Sequence, residues 1–367
     1  MAQIFIIGVR GIPNRYGGFE RLVEVLAPHL VRQGHEVTVF CEGSRDRATQ
    51  IPDNLWHGVS RHFVPVSTRG ALATIQYDWR SFARVPQGAI ALIFGYGTAL
   101  FQLRLRRLAI RHAVNMDGIE WQRQKWGRSA RLWLRLNERA AATLSDELIA
   151  DHPEIQRYLQ RALGAVSTMI AYGVDAEAID GALVADHPLL ARYPRDSYLL
   201  VIARPEPENQ IHLLLDAHAH SGRQLPLLVV GNFEANAYGR HLRECHPTVD
   251  FVGPVYDVAV LNSLRARARL YLHGHSVGGT NPSLIEAMAA GAPVVAHDNP
   301  FNRWVLGDAG GWFFHSIDDL ASLLRDMPDA AQCQRVVAAA RATCRARFLW
   351  PQILAGYDAV VARLLER

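Results

Sequence analysis

Residues 3–41 read QIFIIGVRGIPNRYGGFERLVEVLAPHLVRQGHEVTVFC, and three successive patterns in this stretch decide the fold class. Residues 3–8 are an apolar run without polar alternation, the pattern of a strand buried on both faces. In residues 19–33, Phe19, Leu22, Val23, Leu26 and Leu30 recur at spacings of three and four. That predicts an amphipathic helix stopping at Gly34. Residues 37–41 form a second buried strand. Strand, glycine-rich turn, helix and strand together make a parallel βαβ unit. Working outward, residues 89–94 and 113–116 continue the series. It restarts after about residue 195 with strands at 198–203, 225–230, 250–252, 269–272 and 293–296.

The chain has 367 residues, 49% hydrophobic and 20% charged, an ordinary globular composition of a length that predicts two domains. The fold class expected is α/β: two Rossmann-like parallel-sheet domains, 1–180 and 181–348, facing across a cleft. A last helix, 349–367, carries Ile353, Tyr357, Val360 and Leu364 at helical spacing, and is expected to cross back onto the first domain. Residues 329–347, rich in alanine and arginine, read as a surface helix.

Several function classes are excluded early. The apolar runs span about six residues, far short of the ~18 needed to cross a bilayer. The start reads as a first strand rather than a signal peptide, so a cytoplasmic protein is expected. Four scattered cysteines, Cys41, Cys245, Cys333 and Cys344, contain no CxxC pair and predict reduced thiols, not a disulfide framework or zinc ribbon. Of 39 basic residues only Lys125 is a lysine. A Walker loop needs Gly-Lys-Ser/Thr and a Schiff-base enzyme needs a lysine in an apolar pocket, so both are disfavoured. The turn at residues 8–19 is not GxGxxG, and only Glu42 stands near the place of a ribose-binding acid, which argues against a nicotinamide enzyme.

Open α/β sheets bind ligands at the carboxyl ends of their strands. In the first such loop Gly17 and Gly18 precede a helix and allow a phosphate or sugar to approach backbone amides; a simple turn is the plainer reading. In the second domain, residues 273–288 read HGHSVGGTNPSLIEAM. Thr280 or Asn281 serves as N-cap, Pro282 fits the first helical turn, and the unpaired amides there suit a diphosphate. Glu286 lies one turn in, within reach of a pentose hydroxyl. Arg204, closing the strand 198–203, offers a guanidinium fork to phosphate oxygens, with pairing to Glu206 as the alternative. The same loop matches GxSxG at Ser276, followed by Asp298, Asp308 and His315 in the order of a hydrolase triad, although six residues separate Ser276 from the helix start. His273 and His275 lack a third metal ligand and read as satisfied loop histidines.

Between residues 103 and 140 ten basic residues face three acids. Arg128, Arg131, Arg135 and Arg139 make one stripe at helical spacing beside Trp126, Leu132, Trp133 and Leu136, the pattern of a helix resting on an anionic bilayer; a solvated helix face explains it as well. Nucleic acid is not expected, because no recognised module accompanies the charge and the net charge is only +4.

The opening stretch, NMDGIEWQRQKW at 115–126, ARPEPENQIHLLLDA at 203–217 and HGHSVGGTNPSLIEAMAAGAPVVAHDNPFNR at 273–303 together resemble retaining glycosyltransferases of family 4, which have the GT-B fold. Within it they resemble the bacterial rhamnosyltransferase branch that builds surface polysaccharide and lipopolysaccharide. The resemblance covers essentially the whole chain. It implies a dTDP-rhamnose donor, a glycan or lipid-linked glycan acceptor, no required metal, and peripheral contact with the inner face of an anionic cell membrane. A UDP- or GDP-sugar donor is the alternative within the fold; a serine hydrolase at Ser276 or a non-catalytic nucleotide-sugar binder are alternatives outside it.

Carried over by position, Glu286 matches the second glutamate of the family's Glu-x7-Glu motif, and Gly278 takes the place of the first. Donor recognition is then implied for the backbone of Gly278, Gly279, Thr280 and Asn281, with Gly17 and Gly18 on the other loop. Arg204 matches the phosphate-binding arginine, while the lysine expected five residues on is Asn209, which leaves Arg10 or Arg15 to share the diphosphate charge. Asp117 stands where many relatives have a histidine. It is implied as a catalytic or acceptor-positioning group, with Glu120 and Trp121 beside it on the acceptor side.

Overall fold

The computed structural model describes residues 1–14, 17–43, 54–68, 70–123, 126–175, 178 and 186–366. Contacts divide the chain into two units, Met1–Tyr172 with Pro351–Arg367, and Gly173–Trp350.

The first unit is built on eight strands: β1 (Gln3–Ile7), β2 (Glu36–Glu42), β3 (Leu55–Trp56), β4 (Val59–Val64), β5 (Ile90–Phe94), β6 (Arg111–Asn115), β7 (Glu147–Ala150) and β8 (Thr168–Met169). Their order across the sheet is β3-β4-β2-β1-β5-β6-β7-β8. Every pairing is parallel except β3 with β4. The apolar runs read from the sequence are the central strands, and Ile4, Ile6, Ile7, Ala91 and Leu92 are buried. The strand at 59–64 was not foreseen. Its sequence, VSRHFV, alternates buried and exposed, the pattern of a strand toward the sheet's edge with one face wet. The predicted helix at 19–33 runs Gly18–Arg32.

The second unit holds β9 (Leu199–Ile202), β10 (Leu227–Val230), β11 (Asp250–Gly253), β12 (Leu270–His273), β13 (Val294–His297) and β14 (Trp312–Phe314) in the order β11-β10-β9-β12-β13-β14. All are parallel. Val201, Leu214, Leu272 and Val295 belong to one buried core with the flanking helices.

Both sheets share one feature that matters for ligands. The first strand lies inside the sheet, and the chain order reverses beside it, between β1 and β5 in one unit and between β9 and β12 in the other. That reversal is the topological switch point, where the loops leaving two neighbouring strands diverge in opposite directions and open a crevice.

The last helix, Trp350–Glu366, packs on the first unit. His29 Nε2 lies 2.8 Å from Asp358 Oδ2, Asn115 Nδ2 donates to the Tyr357 hydroxyl at 2.9 Å, and Arg363 bonds Glu147 at 3.1 Å and Thr168 at 2.8 Å. The unit boundary at 172/173 has its own cause. Gly173 lies against the indole of Trp350, where a Cβ would collide, and Val174 exchanges backbone hydrogen bonds with Phe348 and Trp350.

Candidate functional site

In the second unit the two loops flanking the switch point are packed together. After β9, a 3-10 turn at Pro207–Asn209 folds the chain back on itself. The N–H of Glu206 and the side-chain amide of Asn209 both donate to the Arg204 carbonyl at 2.8 Å. Asn209 is buried, so it closes the loop that presents Arg204 and spends its amide donor inside the chain. Arg204 itself is exposed. Among the described residues it makes no ion pair, with Glu206 or any other carboxylate. Among the described residues both carboxylate oxygens of the adjacent Glu208 are buried without a partner, a feature the sequence did not flag.

The loop after β12 rests on this turn. A Cβ on Gly274 would strike the Asn209 carbonyl, which is why a glycine stands there. The backbone N–H and the hydroxyl of Ser276 both donate to the Glu208 carbonyl, at 3.0 and 2.9 Å. The hydrolase reading falls on this point: Ser276 ties two loops together and its proton is committed to a backbone oxygen. His315 and Asp298 do meet, at 3.0 Å, but as part of a separate cluster with Arg303. His273 and His275 stack with ring centres 4.3 Å apart. Burial, reinforced by His275 and His297, holds the His273 imidazole well below its usual range and therefore neutral; its Nε2 has no partner among the described residues.

Gly278 has φ +133° with open space where a side chain would begin, a backbone that favours glycine. Helix Pro282–Ala290 follows. Asn281 caps it by accepting from the Ser283 N–H at 3.0 Å, and Pro282 takes the first helical position. Thr280, beside the cap, is buried. The Ser283 hydroxyl donates to the Ile202 carbonyl at 3.0 Å and meets the Tyr271 hydroxyl. These bonds pin the helix start to the end of β9, with its first-turn amides on the loop side. One turn in, Glu286 Oε2 accepts from Arg265 at 2.5 Å. Arg265 comes from helix Val258–Arg267. The sequence reading missed it, because an arginine in LNSLRARAR looks like any solvated one.

In the first unit the corresponding loops are more heavily charged. Gly8 leaves β1 at φ +89°, where a Cβ would collide with the Phe94 carbonyl. Gly17 caps helix Gly18–Arg32 in extended conformation. Buried Glu20 in its first turn accepts from the Arg10 N–H at 2.9 Å. A carboxylate thus already sits beside the amides read as a phosphate turn. Arg10, expected to share diphosphate charge, is paired with Glu42 at 2.5 Å. Arg15, the other candidate, and Lys125 lie outside the described residues. Asp78 faces this region with Thr98 donating to it at 2.8 Å, and burial pushes its carboxyl up to about 7.

Asp117 follows β6 with φ +54°, its N–H donating to Asn115 Oδ1 at 3.0 Å. A non-glycine residue in this region of backbone space is often found where function over-determines the conformation. Arg123 links it, at 4.0 Å, to Glu120, which Arg123 binds at 2.7 Å. The Trp121 indole N–H donates to Tyr158, whose hydroxyl donates to Glu138 at 2.9 Å. The structure therefore joins Asp117 and Glu120 through Arg123, while Trp121 is bonded into a second set with Tyr158 and Glu138. It also revises the basic stripe of helix Arg128–Leu144: the Arg135 guanidinium lies 3.9 Å over the Trp121 ring and Arg131 is half-buried, while Leu132, Trp133 and Leu136 are the exposed apolar residues. Among the described residues no helix is long and apolar enough to cross a membrane.

Two parallel-sheet Rossmann-like domains, each with its ligand loops at a switch point, define the GT-B class. Residues 186–342 match the family described as Glycosyl transferases group 1. Residues 1–175 match a Domain of unknown function (DUF1972). The phosphatidyl-myo-inositol mannosyltransferase of Mycobacterium tuberculosis is 30% identical over 223 residues, 56% of this chain and 57% of that one; its Mycobacterium leprae counterpart is 31% identical over 225 residues, again 56% and 57%. The match spans little more than half the length of these curated relatives. Among solved structures, sucrose-phosphate synthase from Thermosynechococcus elongatus aligns over 100% of both chains with a TM-score of 0.82 at 20% identity. Anabaena HepE in complex with UDP and glucose aligns over 99% of this chain and 100% of its own, with a TM-score of 0.77 at 16% identity. These structural likenesses carry the fold.

Proposed function

We propose that the protein is a retaining glycosyltransferase that moves L-rhamnose from dTDP-rhamnose onto a glycan or lipid-linked glycan acceptor in bacterial surface polysaccharide synthesis. The observation that carries the transferase reading is the joint placement, on the two loops of one switch point in a domain that matches group 1, of an uncommitted guanidinium and a capped helix start. Arg204 and the amides ahead of Pro282 meet the diphosphate, and Glu286 takes a pentose hydroxyl. As the anomeric carbon–phosphate oxygen bond breaks, charge develops on the diphosphate; preplaced donors that strengthen there supply the largest share of rate, about 10²–10³ per donor removed. The acceptor hydroxyl attacks from the same face and passes its proton to the departing phosphate oxygen, so no protein nucleophile is needed. Asp117, with Glu120 and Trp121, positions the acceptor. No metal is assigned to the reaction. A deoxyhexose is favoured by Gly278, which offers backbone, and no carboxylate, at the place where a heavily hydroxylated hexose would be addressed.

A second reading has its own support: the curated relatives are mannosyltransferases and HepE has been solved with UDP-glucose, which favours a UDP- or GDP-sugar donor. Incubation with a panel of dTDP-, UDP- and GDP-sugars, following the nucleoside diphosphate released, separates the two. Release of dTDP alone supports rhamnose transfer; release of UDP or GDP overturns that donor and keeps the class; no release from any donor with glycan acceptors present overturns the class. The exposed Leu132, Trp133 and Leu136, flanked by Arg128 and Arg139, are the surface that would rest on anionic lipid at the inner membrane face. Nucleic acid has no part in this reading.

A further inference from the structure

The carboxylate of Glu286 is not presented whole. Oε2 is held at 2.5 Å by Nη2 of Arg265, whose side chain is 2% exposed against 32% for Glu286. Arg265 spends Nη1 on Asn262 at 3.0 Å and leaves its Nε without a partner among the described residues. A guanidinium at that depth is costly unless a carboxylate compensates it, and Glu286 is the only carboxylate that does so among the described residues. The bond is therefore strong, charge-assisted and sheltered from water. Oε1 makes no hydrogen bond among the described residues, and the Glu286 side chain is 32% exposed.

We propose that Arg265 is a positioning residue that reduces Glu286 to a single available oxygen, and thereby fits the site to a nucleotide whose pentose offers one hydroxyl, a 2′-deoxyribonucleoside diphosphate. This rests on the reading of Glu286 as the pentose ligand. A ribose presents two neighbouring hydroxyl donors, and a free carboxylate meets them with two oxygens. Here the two hydroxyls must share Oε1, or one must compete with a buried guanidinium for Oε2, so the second bond is the weaker one. A 2′-deoxyribose brings one donor to one oxygen and leaves nothing unmatched.

The test uses the full chain and three ligands, UDP, dUDP and dTDP, titrated by calorimetry. UDP and dUDP differ only at the 2′ position, so their ratio isolates the pentose from the base. The proposal expects dUDP to bind within about twofold of UDP or more tightly. A two-oxygen clasp would lose roughly tenfold or more when the 2′-hydroxyl is removed, and that result overturns the proposal. Arg265→Met frees Oε2 and is expected to shift the ratio several-fold toward UDP, with Arg265→Lys restoring it; an unchanged ratio in a folded Arg265→Met protein overturns the positioning role. Should Arg265→Met fail to fold, the wild-type ratio still decides. Absence of binding by all three ligands is a different failure: it overturns the nucleotide-site reading, and the inference with it.

Discussion

At the scale of single residues, the carboxyls are divided between those with assigned partners and those held by burial. Asp78 is of the second kind. Its carboxyl is raised from 3.8 to about 7 by desolvation, with only the Thr98 hydroxyl opposing that shift at close range. A raised acid binds its proton in the fold at pH values where the unfolded chain has lost it. Stability is therefore intact below about pH 4, falls as pH rises toward 7, and stays low above. Asp78→Asn keeps an acceptor for Thr98 and removes the ionisation. It should stabilise the protein at pH 8 by on the order of 4 kcal/mol and change little at pH 4, measured by denaturant unfolding at both. The residue scale is also where sequence reading divides most sharply. Arg204, Asn281 and Glu286 could be proposed from the sequence because helix starts and strand ends have local signatures. Arg265, Asp78 and the Ser276–Glu208 tie could not, since each depends on a partner twenty or more positions away.

Among elements, most of the buried parallel strands were read correctly because their apolar runs need no partner to be recognised, but the four-residue β7 was missed, and the edge strands β3, β8 and β14 are two or three residues long and leave no periodicity to read. The helix Pro282–Ala290 shows the opposite case, in which cap chemistry places the start to the residue. Asn281 accepts from Ser283 while Ser283 and Tyr271 anchor the same turn to β9. Asn281→Ala should cost about 1 kcal/mol of stability. It should also weaken nucleotide-sugar binding more than that loss requires, because the first-turn amides lose their fixed direction; thermal unfolding and donor titration on one sample compare the two effects. The basic helix Arg128–Leu144 shows why periodicity alone misleads. Its stripe of arginines was real in spacing, yet Arg135 is engaged by Trp121 from a neighbouring loop, a contact invisible to a helical wheel.

For the molecule as a whole, the C-terminal helix completes the first unit although the chain reaches it only after the second. Ile353, Leu354, Tyr357, Val360, Val361 and Leu364 are buried. At about 1.5–3 kcal/mol each, their loss rivals the 5–15 kcal/mol that hold a domain together. A chain ended after residue 350 should lose cooperative unfolding of residues 1–172, seen as a missing calorimetric transition, while the second unit keeps its own. The helix was legible from Ile353, Tyr357, Val360 and Leu364; its partners His29, Asn115 and Glu147 were not, because nothing local connects positions more than two hundred apart. Function follows the same division. The candidate ligand loops were readable from strand ends, whereas the partners that the fold gives their side chains were not.

The central claim is that the loops after β9 and β12 bind the donor through Arg204 and Glu286. Calorimetric titration of dTDP-rhamnose into the wild type, Arg204→Ala and Glu286→Ala, each verified as folded, tests it most directly. The account predicts saturable binding to the wild type and a loss of about tenfold or more in each variant, the size expected for one charge-assisted hydrogen bond. Equal affinity in all three proteins would contradict it.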